Sequence, residues 1–365
     1  MFALALAGVI AVGRARSRWI KLLGGFLAMV LCATGGIAVV NDYYGYYTSW
    51  GQLSADLSDS YQPYSTAISG SRTVHGLPAG RVEQVNFVGK RSGINRPGLV
   101  YLPPQYFEPA YRQTRFPVVE LIHGSPGHPT SWIVNLNIAR TMDHLLVKHQ
   151  IGPMVFVMPA MNDGNRFEEG IDAPPTLDDT YLSTDVRTDV LAHFRVATDA
   201  ASWGIAGYSS GGYAAANLSL RHPYDFGAAA MMDGYFRPKD GPAAQAAHGD
   251  AAIEAANDPL RAAAGLSADS HPLPSFWVGA GTGSRSDITA ARAFVSALHG
   301  VEQVTLYTEK GAIHNFNAWR ADIPRFLTWM WPQLAPPALR VQFPISGPVH
   351  DAVIPIAKPR PSSSP

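Results

Sequence analysis

The chain has 365 residues, 47% of them hydrophobic, and its 28 basic and 28 acidic side chains balance to a formal net charge of zero. That is enough for one full-sized catalytic domain with accessory segments, and the lack of any basic excess or aromatic-basic motif argues against nucleic acid as a partner. The single cysteine, Cys32, excludes an internal disulfide, and its apolar neighbours point to an inert packed thiol.

Leu22 to Val40 is an uncharged apolar run of 19 residues, about the length that crosses a bilayer as a helix. Arg14, Arg16, Arg18 and Lys21 precede it. Asn41, Asp42 and the aromatic group Tyr43, Tyr44, Tyr46, Tyr47 and Trp50 follow. Cations on one flank and interfacial aromatics on the other predict a single-pass anchor with a cytoplasmic N-terminal side and everything beyond Val40 outside the cytoplasm. A cleaved signal peptide and a buried soluble helix are the competing readings. The apolar stretch 2–13 is too short to span alone and suits a partial or re-entrant segment or the end of a span that lies upstream.

Residues 41–80 are polar, dotted with aromatics and rich in Ser and Gly, as a linker above a membrane would be. From Arg81 strands and helices alternate. Strands are expected at 82–88 and 98–102, the second stopped by Pro103-Pro104, then at 116–122, 154–158, 203–206, 228–232, 276–279 and 304–307. Helical patterns fall near 136–148, 180–197, 210–221, 287–299 and 318–331. The alternation predicts an α/β domain over 81–335, with a mostly parallel sheet opened by an antiparallel pair and helices on both faces. Stretches 161–180 and 233–272 break the rhythm, and the second reads as small helices above the sheet. The Pro-containing tail, 336–365, reads as disordered.

Gly207-Tyr208-Ser209-Ser210-Gly211 follows an apolar strand and precedes a helix-forming segment. G-x-S-x-G in a strand-turn-helix context is a nucleophile elbow. With Gly at 34 of 365 positions, chance alone would give roughly one in five such chains a copy, so the strand-helix junction carries the inference. A serine nucleophile needs backbone N–H groups aimed at the oxyanion. Ser210 would supply one, and Ser125, in the His123-Gly124-Ser125-Pro126-Gly127 loop after the strand at 116–122, would supply the other. His123 itself reads as a hydrogen-bonder at a strand end or, alternatively, a substrate contact. Tyr208 and Trp319 are further candidates for touching substrate.

The base of such a site follows the acid and the nucleophile in the chain. Of twelve histidines, His314 alone lies just after the last strand and before the closing helix. Asp287 is the only carboxylate between Asp269 and Glu302 and follows the penultimate strand. Asp233, one strand earlier, is its rival. His144 and His149 are five apart, which does not bring both to one helix face, and His123 with His128 lacks a third ligand nearby. No phosphate-binding loop is present either. No metal and no cofactor are expected.

The segments Val100-Tyr101-Leu102-Pro103-Pro104, Leu121-Ile122-His123-Gly124, Gly207-Tyr208-Ser209-Ser210-Gly211-Gly212, Arg221-His222-Pro223-Tyr224-Asp225-Phe226 and Gly311-Ala312-Ile313-His314-Asn315 together resemble the putative-esterase family of α/β-hydrolases. Esterase D, microbial feruloyl esterases and the cell-envelope mycolyltransferases are members. The resemblance spans about residues 81–332. It implies an α/β-hydrolase fold, Ser209, Asp287 and His314 as nucleophile, acid and base, and Ser125 and Ser210 as oxyanion donors. The mycolyltransferases carry Asp-Gly where this chain has His123-Gly124, and use Glu as the acid. Both departures favour an esterase acting on a small-molecule, lipid or sugar ester over an acyltransferase with an envelope sugar or lipid acceptor. A non-catalytic binding protein on the same scaffold is the reading from a different class.

Overall fold

The computed structural model describes residues 17–47, 73–74, 76–162, 169–266, 273–299, 301 and 303–344. The expectations for the stretch 2–13, for most of the 41–80 linker and for the end of the tail lie outside these residues.

Eight strands form one sheet: β1 Arg81–Val88, β2 Asn95–Leu102, β3 Val118–Ile122, β4 Val155–Pro159, β5 Trp203–Tyr208, β6 Ala228–Met232, β7 Ser275–Gly281 and β8 Val304–Glu309. Their spatial order is β1-β2-β4-β3-β5-β6-β7-β8. β1 pairs antiparallel with β2, and β2 antiparallel with β4. All remaining pairs are parallel. The central strands β3 to β6 are buried along their whole length, as strands covered by helices on both faces must be, whereas on the edge strand β1 only Val82 and Phe87 are buried.

Five helices frame the sheet and its surroundings: α1 Arg18–Tyr44, α2 Ile138–Val147, α3 Ser210–Arg221, α4 Arg285–Ala297 and α5 Phe316–Leu334. Because successive strand residues point to opposite faces, β3 sends Val119 and Leu121 to one core and Val118 and Ile122 to the other. The first core is closed by α2 and α5. On α5, Trp319, Ile323, Phe326, Leu327, Met330 and Trp331 form the apolar stripe of a core-facing helix. The second core is closed by α3 and α4.

Three expectations are corrected. The helix expected over 180–197 runs without a break from Asp178 to His193, so it starts and ends earlier than expected, and its middle, Tyr181–Val186, is π-helical. The start of the tail is ordered: Pro337–Gln342 is a helix, because Leu339 is buried in the first core and Phe343 packs on Trp331. Both ends of the expected linker are structured as well. α1 runs on to Tyr44 and residues 43–46 contact the α/β body, while Thr73–Val74 and Leu77–Pro78 pair as a small hairpin. Gly80 N–H donates to the Asp143 carboxylate at 2.8 Å.

Glu120 in β3 is fully buried, and neither of its oxygens has a hydrogen-bond partner among the described residues. Burial pushes its carboxyl up to about 8, against the smaller opposing pull of the Arg187 charge. The folded protein therefore holds a proton there that the unfolded chain releases from about pH 4.5. Stability contributed by this group is full below that value and falls as pH rises to about 8. Glu120→Gln, which cannot ionise, should raise the melting temperature at pH 8 and leave it nearly unchanged at pH 4.5. A gain of equal size at both pH values would exclude this account.

Candidate active site

The C-terminal ends of the parallel strands gather five loops: those after β3, β5, β6, β7 and β8. Ser209 sits at the turn between β5 and α3 with φ 54° and ψ −123°, outside the regions comfortable for a side-chain-bearing residue. The turn exists only because its flanks are bare. A Cβ on Gly207 would lie 2.0 Å from the Gly211 carbonyl oxygen, and one on Gly211 would lie 2.1 Å from the Ile122 carbonyl oxygen. The Ser209 N–H is anchored on the Met232 carbonyl at 2.9 Å, and its own carbonyl accepts from Gly212 and Tyr213 N–H, starting α3.

His314 Nε2 lies 2.9 Å from Ser209 Oγ, and Nδ1 lies 2.9 Å from Asp287 Oδ2. A carboxylate only accepts, so the proton rests on Nδ1 and Nε2 is left to accept from the hydroxyl. Backbone contact between two loops brings Asp287 and His314 together. Gly283 N–H donates to the Ala312 carbonyl at 2.8 Å, and a Cβ on Gly281 would lie 2.3 Å from that same oxygen. Burial pushes the His314 imidazole down, but the hydrogen bond and charge of Asp287 and the charge of Asp233 outweigh it, so it titrates above the usual histidine range.

Asp233, with φ 47°, follows β6 and is buried. It does not hydrogen-bond His314. Its Oδ1 accepts from Gly281 N–H at 2.9 Å and its Oδ2 from Trp319 Nε1–H at 2.8 Å. Burial raises this carboxyl to about 6, opposed by the Gly281 hydrogen bond and reinforced by the Asp287 charge. The ligand atoms of Asp233, Asp287 and His314 lie within 4.8 Å of one another, close enough in principle for a cation. Both ring nitrogens of His314 already have partners, which leaves neither lone pair free for a cation.

An open cavity of about 800 Å³ reaches these groups; Ser125, Ser209, Ser210, Asp287 and His314 line it. Ser125 and Ser210 share its wall, and their backbone N–H groups have no acceptor among the described residues. Apolar lining comes from Phe236, Leu260 and Ala293, while the exposed Arg237 and Arg285 stand at its polar part. Three expected substrate contacts lie elsewhere. His123 is fully buried behind the loop: its Nδ1 donates to the Gly124 carbonyl at 2.8 Å, and Nε2 accepts from Met161 N–H at 3.0 Å. Burial pushes this imidazole down to about 4, so it stays neutral and serves the loop's shape. Tyr208 and Trp319 are buried against each other with ring centroids 4.7 Å apart, and the Trp319 ring meets His314 edge-on at 4.9 Å.

Glu169 is a site residue with no sequence signal, since it lies in an irregular stretch with no motif around it. It is fully buried, accepts from the Tyr235 hydroxyl at 2.9 Å, and stands beside the hydroxyls of Ser125 and Ser210. Burial raises its carboxyl despite those hydroxyls.

Removing the Asp233 charge should let the His314 imidazole titrate at lower pH. NMR titration of ring signals in Asp233→Asn against the parent chain reads this directly. An unchanged or higher midpoint would mean that the Asp233 charge does not reach the ring.

The sequence profile of the family described as "Putative esterase" matches residues 90–330. An uncharacterized protein of Corynebacterium glutamicum is 26% identical over 317 residues, covering 82% of this chain and 74% of that one. An endo-1,4-beta-xylanase/feruloyl esterase of Xylanibacter ruminicola is 30% identical over 158 residues, 42% of this chain and 22% of its own length. Among solved structures, a ferulic acid esterase superposes with TM-score 0.61 at 19% identity, over 70% of this chain and 99% of that one. An S-formylglutathione hydrolase from Agrobacterium tumefaciens gives 0.59 at 18% identity, over 73% and 99%. These structures share the α/β-hydrolase fold, and the match across two thirds of the chain places the protein in the putative-esterase family.

Proposed function

We propose that the protein is a serine esterase that hydrolyses carboxylic esters, held by α1 at the outer face of a membrane. The observation that carries the reading is the chain of two 2.9 Å contacts from Asp287 through His314 to Ser209 at the wall of an open cavity. Ser209 Oγ attacks the ester carbonyl carbon as its proton passes to His314 Nε2. The carbonyl oxygen becomes an oxyanion held by the N–H groups of Ser125 and Ser210. Collapse breaks the C–O bond, and the leaving alkoxide takes the proton back from Nε2. Water then attacks the acyl-enzyme, losing its proton to Nε2, and the second collapse frees the acid and returns a proton to Oγ. Asp287 orients the ring and stabilises the imidazolium without taking the proton. Transfer to a sugar or lipid hydroxyl would use the same acyl-enzyme, so product analysis with an added sugar acceptor separates the two outcomes.

The anchor reading rests on α1, a 27-residue helix about 40 Å long, more than the roughly 30 Å of a hydrocarbon core. Its Leu22, Leu23, Phe26, Leu27, Ile37 and Val40 side chains are exposed.

The detergent-solubilised full chain should hydrolyse p-nitrophenyl acetate. Ser209→Ala should lose at least about 10³-fold in kcat and Asp287→Asn on the order of 10⁴-fold, with melting temperatures kept. Undiminished turnover in Ser209→Ala would sink the assignment. Because the neutral imidazole is the active form and titrates above the ordinary histidine range, kcat/KM should rise with pH through that higher midpoint. A rate independent of pH between 5 and 9 would count against His314 as the base.

A further inference from the structure

The C-terminal end of α1 is bonded to the segment that carries His314. Gly45 ends the helix in the left-handed conformation, φ 69°, with its N–H on the Asn41 carbonyl. The Asn41 side chain closes the turn in both directions: its Nδ2 donates to the Tyr47 carbonyl at 2.9 Å, and its Oδ1 accepts from Tyr47 N–H at 2.7 Å. Three side chains of the catalytic body then reach the backbone carbonyls of this turn. Asn315 Nδ2 donates to Tyr43 at 2.6 Å, Arg320 Nη2 to Gly45 at 3.0 Å and Asn135 Nδ2 to Tyr46 at 2.5 Å. The Tyr43 carbonyl is among the last of α1, which lack partners within the helix and carry its partial negative charge, so an amide donor suits it. The Tyr46 ring packs on Phe316 with centroids 5.2 Å apart.

Asn315 connects this contact to the site. It follows His314 directly, and its Oδ1 caps α5 by accepting from Ala318 N–H at 3.0 Å while its Nδ2 holds Tyr43. Arg320, one turn further along α5, also donates from Nε to the Asn135 carbonyl at 2.8 Å, joining two of the three clamping side chains. Tyr43 lies only three residues, or about 5 Å of helix rise, beyond the apolar run that ends at Val40. A catalytic domain on a loose tether would roam above the bilayer. This one is held next to the end of the span through Asn315, the residue after the cavity-lining His314.

We infer that residues 43–46 and their partners Asn135, Asn315 and Arg320 form a clamp that fixes the cavity at the membrane surface, so that the substrate is a long-chain ester resident in the leaflet. This rests on the serine-esterase and anchor readings above and adds the substrate class. Fixed placement raises the effective concentration of a leaflet-bound ester at Ser209 and does nothing for a small ester arriving from water.

The test uses the full chain reconstituted in phosphatidylcholine vesicles, with p-nitrophenyl palmitate in the bilayer and p-nitrophenyl acetate in solution. Gly45→Val would force a Cβ to within 2.6 Å of Asn317 Oδ1 at a left-handed φ, opening the clamp from the anchor side. Arg320→Ala opens it from the catalytic body, and the melting temperature checks that each variant folds. Each should lose at least about fivefold in palmitate hydrolysis and stay within about twofold of the parent on acetate. Equal retention of both activities, or equal loss of both, would overturn the clamp and leave the esterase reading standing. If the unaltered chain turned over neither ester and Ser209 resisted a fluorophosphonate probe, the esterase reading itself would fall, and the clamp inference with it.

Discussion

At the head of β5 the backbone passes so close to itself and to β3 that no side chain fits two residues before or two residues after Ser209. Gly207 faces the Gly211 carbonyl, and Gly211 faces the carbonyl of Ile122. With both positions bare, the chain can turn from strand to helix within one residue, leaving Ser209 at a strained positive φ on the cavity wall. The rest of the site is built out from that turn. Ser210 opens α3 with its N–H free of any acceptor among the described residues, and the loop after β3 is tied back by His123 so that Ser125 shares the same wall.

The second constraint is charge. Two carboxylates flank one imidazole, and their environments separate their roles. Asp287 is partly exposed and hydrogen-bonds the ring directly. Asp233 is buried, is raised to about 6, and spends its oxygens on a backbone N–H and an indole N–H. The rivalry between them as triad acid is therefore one of geometry. Both follow neighbouring strands, but only the loop after β7, stitched to the β8 loop through Gly281 and Gly283, brings its carboxylate to Nδ1. Asp233 acts on the ring from a distance while holding Trp319, which in turn packs on Tyr208 and His314.

The clamp on α1 gives this architecture a direction. The site lies at the C-terminal ends of the parallel strands, and the end of the long apolar helix meets that side of the sheet through Asn315, next in sequence to His314. Positioning of the imidazole and positioning of the whole domain thus pass through adjacent residues. The cavity itself combines apolar walls with the exposed guanidinium groups of Arg237 and Arg285.

Local pattern alone determined a good deal. The strands at 228–232 and 203–206, the elbow around Ser209, the charge-free run at 22–40 and the antiparallel opening pair are written in runs of neighbours, because strand, turn and helix preferences are set by residues close in the chain. Contacts between distant segments decided the rest. No periodicity announces that Leu339 is buried in a supposed tail, that Tyr43 to Tyr46 lie against α5, or that Trp319 and Tyr208 turn inward while Arg237 and Arg285 reach the cavity. Glu169 is legible only in three dimensions, since its meaning lies in Tyr235, Ser125 and Ser210, all far from it in the chain. Burial and the hydrogen bonds that offset it depend on which surfaces meet, and a linear chain carries that information only in the sum of all its contacts.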